Sequence, residues 1–124
     1  MRYVCLVYVD KSLIDASPPE QLAEMDRQNQ ESNAALTASA HLLLDLALKE
    51  PETAKIVRAR SGQVSATDGP YVESKEHLGG FMVIEARDLD EAVAIASREP
   101  MARFGSIEVR EEMGLAWQQP NKAS

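Results

Sequence analysis

One stretch of this sequence combines turn formers, a run of charges and one of only two histidines. Asp68, Tyr71, Glu73, Lys75, Glu76 and His77 surround Gly69-Pro70 and run up to Gly79-Gly80. Histidine is the side chain that titrates nearest neutrality, so His77 is the natural candidate for a proton carrier. Asp68 is the candidate carboxylate. Gly69 lets backbone approach closely and Pro70 limits the conformations of the segment, which would hold Asp68 and Tyr71 rigidly at a cleft. Tyr71 and Glu76 offer groups that orient a ligand, and Lys75, between two acids, suits an anionic substrate. A plainer assignment competes with each of these. Asp68 before Gly-Pro can close an Asx-type turn, and Glu73, Lys75 and Glu76 can be solvated loop charges. The second histidine, His41, begins an apolar strand and is the weaker acid/base candidate.

Composition narrows the classes of partner. A net charge of −7 with scattered lysines and arginines argues against a nucleic-acid groove. No apolar run approaches the roughly 20 residues that cross a bilayer. The run Arg2 to Val9 looks superficially like a signal peptide, but Asp10-Lys11 ends it and no small-residue cleavage site follows, so it reads as a strand. Two histidines 36 positions apart, with no nearby cysteine, are a poor basis for a metal site. Gly79-Gly80 enters a strand instead of a helix N-terminus, so no phosphate cradle is evident. The expectation is no metal and no cofactor. The single cysteine, Cys5, excludes an internal disulfide, reads as a small buried hydrophobe, and suits a reducing cytoplasm.

The elements that must position the cluster follow from periodicity. Residues 2 to 9 are apolar on both faces, which predicts a central strand covered on both sides. Ser17-Pro18-Pro19-Glu20 predicts a capped helix start, with the helix over about 18 to 39. Its middle carries Asn29, Ser32 and Asn33. Here Ala34, Ala35 and Ala38 read as the packing face with the amides outward, and lining a wet cleft is the other reading. Leucine at every even position from 42 to 48 predicts a strand, and Ser61-Gly62 between 54–60 and 63–67 predicts a β-hairpin. The Asp68–Gly80 segment is then a loop that opens the apolar strand Phe81–Ala86. Asp88-Leu89-Asp90-Glu91 caps a second helix with Leu89, Ala92, Val93 and Ala96 on one face, and Ser106–Glu112 alternates into a last strand. On that strand Glu108 and Arg110 share a face, either in water at an edge or paired with Lys75 and Glu85.

The order β, α, β, hairpin, β, α, β is an α+β, ferredoxin-like βαββαβ unit with an inserted hairpin. Residues 1–117 form its single domain and 118–124 a flexible C-terminal tail. Two helices cover one sheet face only, so a homodimer burying sheet against sheet is expected.

The run Thr67-Asp68-Gly69-Pro70-Tyr71-Val72-Glu73-Ser74-Lys75-Glu76-His77-Leu78-Gly79-Gly80-Phe81, with Asp88-Leu89-Asp90-Glu91-Ala92 and Glu108-Val109-Arg110, resembles the YCII-related family, in particular its DGPF-domain branch. The resemblance covers roughly residues 1 to 113. Tyr71 stands where the name motif has Phe, and Ser74 where Thr is usual. The resemblance implies a dimeric α/β barrel similar to muconolactone isomerase and other small cofactor-free enzymes. It also implies an Asp–His catalytic pair and a setting beside extracytoplasmic-function sigma factors.

Two functions from different classes follow. One is a cofactor-free isomerase- or lyase-like enzyme acting on a small polar organic molecule, with Asp68 or His77 carrying the proton and Tyr71, Lys75, Glu76 and Arg110 binding the substrate. The other is a non-catalytic homodimer that binds a small ligand or a sigma-factor-linked protein partner.

Overall fold

The computed structural model describes residues 1–71 and 74–115. The expected tail, 118–124, lies outside the described residues, as do Val72 and Glu73 of the central motif. The chain runs β1 (Arg2–Asp10), α1 (Lys11–Asp15), α2 (Pro19–Ala38), β2 (Leu42–Ala47), β3 (Lys55–Arg60), β4 (Gln63–Asp68), β5 (Glu76–Glu85), α3 (Leu89–Ser97) and β6 (Gly105–Glu111), with short 3-10 turns at Pro51–Thr53 and Pro100–Phe104. Strands β2-β5-β1-β6 form an antiparallel sheet and β3-β4 a separate two-stranded ribbon. With the ribbon set aside, this is the ferredoxin-like order, and the ribbon is the inserted hairpin.

Register assigns the faces. Tyr3 pairs with Ile84 and Cys5 with Met82, and all four are buried beneath the helices together with Ala92, Ile95 and Ala96. Their neighbours Val4, Leu6 and Tyr8, opposite Val83, Phe81 and Leu78, point to the other face, which no helix among the described residues covers. On β2 a bulge between Leu42 and Leu44 splits the even-numbered leucines. Leu42 packs on the core, whereas Leu44 and Leu46 pair beside Val83 and Phe81 on the open face, 45% and 47% exposed.

Several expectations are corrected. The first long helix is not capped by Ser17. The unforeseen helix α1 precedes it, the Ser17 hydroxyl donates back to the Leu13 carbonyl at 2.7 Å, and Pro18 occupies the cap position with no side-chain hydrogen bond. The α2 alanines 34, 35 and 38 are exposed, and Asn29, Ser32 and Asn33 are partly buried. Ser32 donates to Glu99 Oε1 at 2.9 Å, and the Asn33 amide donates to Asp45 on β2. On α3 the buried set is Ala92, Ile95 and Ala96, while Leu89 and Val93 stay half exposed. Its cap forms as expected, with Asp88 accepting from the Glu91 amide at 2.9 Å and Glu91 accepting from the Arg87 amide at 3.0 Å.

The hairpin turn is dictated by its residues. Ser61 and Gly62 both adopt positive φ, 52° and 76°, the twist that a two-residue connection between antiparallel strands requires. Gly80 answers a different need. A Cβ there would lie 2.4 Å from the Leu46 carbonyl oxygen, so only glycine lets β5 run this close to β2.

Candidate functional site

The central motif does not stay a loop as far as Gly80. Strand β5 begins at Glu76, so Glu76 and His77 are strand residues, registered against Asp10 and Val9 of β1. Ladder bonds from β1 along the whole stretch, with β2 joining from Gly80 onward, override the local turn formers, and a register shift opposite Val7/Tyr8 accommodates the glycines. The consequence is positional precision, because a side chain on a paired central strand is fixed more tightly than one on a loop.

The ribbon β3-β4 and the segment Leu48–Ala54 bend over one end of the open sheet face. The bend is held by backbone bonds from Leu48 N to Gly79 O (2.8 Å) and from Gly69 N to Ala54 O (2.8 Å), next to a cis Gly69–Pro70 peptide. Between ribbon and sheet lies a cleft of about 900 Å³. Tyr8 and Leu78 form its sheet-side floor, Pro51, Ile56 and Pro70 its far wall, and Tyr71, Glu76 and Glu108 bring polar groups to it, while His77, registered opposite Val9, borders it where β5 begins. This is the mostly apolar lining with a few convergent polar groups that small-molecule sites display.

Those polar groups are held individually. The Ser106 hydroxyl on β6 lies 3.1 and 3.0 Å from the two Glu76 oxygens and donates to that carboxylate. The Arg58 guanidinium sits 5.7 Å from the centre of the Tyr71 ring, tying the phenol to the ribbon by a cation–π contact. Glu108 projects from edge strand β6 with its polar face in water, as the edge reading expected, and Arg110 lies further along that face.

The other sequence candidates are placed elsewhere. Asp68 ends β4 and pairs with Lys55 across the ribbon, both exposed, and neither lines the cleft. Lys75 lies 3.6 Å from Asp10, whose carboxylate is buried and accepts from the Ser12 amide (3.0 Å) and hydroxyl (2.6 Å). The Ser12 hydrogen bonds, with Lys75 adding charge, hold Asp10 below the usual carboxylate range. Arg110 is likewise outside the lining. The cleft lining therefore includes Tyr71, Glu76 and His77 and leaves out Asp68, Lys75 and Arg110. His41, bonded to Ser39 at 2.7 Å and 3.7 Å from Glu91, ties the end of α2 to α3.

Sequence reasoning missed the cleft's second wall, Leu48 to Ile56. Pro51 was the visible signal there, since it forces a turn directly after β2. Among the described residues no three His, Cys, Asp or Glu side chains are grouped as a metal site. No helix among the described residues is long and apolar enough to cross a membrane.

The profile of the YCII-related domain matches residues 1–113. The chain belongs to the YCII-related family. A protein of Rhizobium meliloti (strain 1021), described as uncharacterized, is 31% identical to this YCII-related chain over 112 residues, 89% of this chain and 90% of the relative. Among solved structures the chain is similar to 5-chloro-2-hydroxyhydroquinone dehydrochlorinase from Burkholderia phenoliruptrix AC1100 in complex with 2,5-dihydroxybenzoquinone. The TM-score is 0.50 at 15% identity, covering 96% of this chain and 100% of that one. At that identity the likeness concerns the fold, a mixed α+β ferredoxin-like architecture built on an antiparallel sheet.

Proposed function

We propose that this YCII-related protein is a cofactor-free acid/base enzyme of the isomerase or lyase type, acting on a small polar organic molecule in the cleft between ribbon and sheet. The observation that carries the reading is the convergence of Glu76, Glu108 and Tyr71 on one apolar-walled space that His77 borders at the start of β5. His77 takes up a proton from the substrate and returns it at a second position. Glu76, oriented by Ser106, polarises a substrate hydroxyl, and the Tyr71 phenol closes over the ligand. Asp68, Lys75 and Arg110 act from outside the cleft, Asp68 by anchoring the ribbon through Lys55 and Lys75 by fixing the start of β5 on Asp10. The structural neighbour, a dehydrochlorinase that binds 2,5-dihydroxybenzoquinone, supports a hydroxylated ring as the kind of ligand to try first.

The open sheet face belongs to the same proposal. Leu44, Leu46, Leu48 and Leu78 leave between 37% and 48% of their surface exposed, beside Leu6, Phe81 and Val83. A second copy laid on that face as a homodimer, the barrel arrangement of the DGPF branch, would cover them and border the cleft. Buried Cys5 suits a cytoplasmic setting. The non-catalytic reading, a homodimer engaging a sigma-factor-linked partner, is supported by the acidic surface, which complements a basic protein.

The test is a thermal-shift screen of hydroxylated quinones and lactones, followed by turnover assays on the compounds that bind. His77→Ala is expected to lower turnover by roughly 10²- to 10⁴-fold without unfolding the protein. A folded His77→Ala variant with wild-type turnover removes the role of His77. Binding without turnover favours the non-catalytic reading.

A further inference from the structure

Behind the sheet, on the side away from the cleft described above, a second cavity of about 200 Å³ opens between α2 and strands β1, β2 and β5. Asn29 and Asn33 of α2, Asp45 of β2 and Glu99 line it with Met101 and the bare backbone of Gly79-Gly80. Glu99 is only 7% exposed. Ser32 donates to one of its oxygens, and no cation among the described residues pairs with either. Burial therefore pushes this carboxyl above its ordinary range, with Asp45 adding repulsion and Ser32 opposing the shift. An unpaired carboxyl in a packed interface lowers stability, and such groups concentrate where a ligand compensates them.

The charge that lines the cavity has one sign, from Glu99 and Asp45. The Asn33 amide nitrogen is already used on Asp45, and the Ser32 proton on Glu99. Acceptors remain toward the cavity in the second Glu99 oxygen and the carboxamide oxygens of Asn29 and Asn33, beside the Asp45 carboxylate. No lysine or arginine among the described residues lines the space. A ligand that fits must supply donors and positive charge, and must be small, since the volume equals about seven waters. Met82, Met101 and Val9 offer an apolar surface for a short tail.

We propose that this cavity binds a small primary ammonium ion, with Glu99 as its counter-charge and the Asn29 and Asn33 side chains accepting its remaining N–H bonds. The assignment is independent of the acid/base reading of the ribbon-side cleft. Ethylammonium, ethanol and acetate separate charge from donor capacity at nearly constant size. Titrated into the ¹⁵N-labelled protein at fixed ionic strength, ethylammonium is expected to give saturable shifts centred on Asn29, Asn33, Gly79, Gly80 and Glu99, and ethanol and acetate none. Glu99→Gln should weaken binding by roughly tenfold or more. Met101→Trp, which fills the cavity and leaves every polar group in place, should abolish it and keeps the test decisive if the first variant unfolds. Linear shifts spread over the acidic surface, or unchanged binding by either folded variant, would overturn the proposal.

Discussion

Beneath its helices the sheet seals Tyr3, Cys5, Met82 and Ile84 almost completely, yet it admits a carboxyl, Glu99, among them; on its other side it keeps its acids at the rim and leaves a row of leucines half in water. Each face thus departs from what stability alone would select, in opposite directions. A buried acid without a cation is destabilising, and so is uncovered leucine. The two departures ask for different remedies: a small polar ligand on the helix side, and a second protein surface on the open side.

The contrast can be broken by substitution, and the largest effect belongs to the sealed face. Ile84→Ala should cost about 2–5 kcal/mol in urea-induced unfolding, because packed neighbours cannot collapse into the space left behind. If Leu44→Ala on the open face costs as much in a demonstrated monomer, the two faces do not differ as described. Next, Leu44→Glu should weaken self-association by about 100-fold or more, roughly 3 kcal/mol, while leaving the circular dichroism spectrum unchanged. Light scattering decides this one, and a monomeric wild type at micromolar concentration removes the dimer.

A smaller effect comes from Glu99→Gln. Burial raises the Glu99 pKa from its ordinary 4.5, so the folded chain binds more protons than the unfolded chain above that value. Stability contributed by the protonated acid is therefore present at low pH and lost as pH rises through the raised value. Glutamine cannot ionise, so the variant should match the wild type near pH 4 and exceed it at pH 7 by on the order of 1 kcal/mol. A variant less stable than the wild type at both pH values contradicts this. The smallest effect is expected from Asp68→Asn. Its ion pair with Lys55 is exposed on both sides, and the urea midpoint should not move beyond measurement error.

These contrasts were unequally legible in the amino-acid order. The Ser61-Gly62 hairpin and the Asp88–Glu91 cap are local, each decided by a few neighbouring residues, and both form as the sequence implies. Glu76 and His77 were placed in a loop because Gly79-Gly80 interrupts the strand alternation. Only pairing with β1, remote in sequence, turns that stretch into part of β5. The inward face of α2 was misread for a different reason. Leu22, Met25, Asn29, Ser32 and Leu36 recur at spacings of three and four, so the buried stripe was present, but polar side chains within it were taken to point to solvent. Spacing carried the correct information, and residue type obscured it. The cleft depends on where the ribbon folds relative to the sheet, which no periodicity encodes.

Cys5 gives the chain a clock. Its thiol is fully covered at the centre of β1, between β5 and β6, and burial pushes its pKa up to about 11. No alkylating reagent can reach the sulfur while both ladders hold, and the group is not a thiolate at neutral pH. The rate of labelling therefore counts openings of the whole sheet. Anything that stabilises either face, whether an ion under the helices or a second subunit over the leucines, slows that count without touching the cysteine.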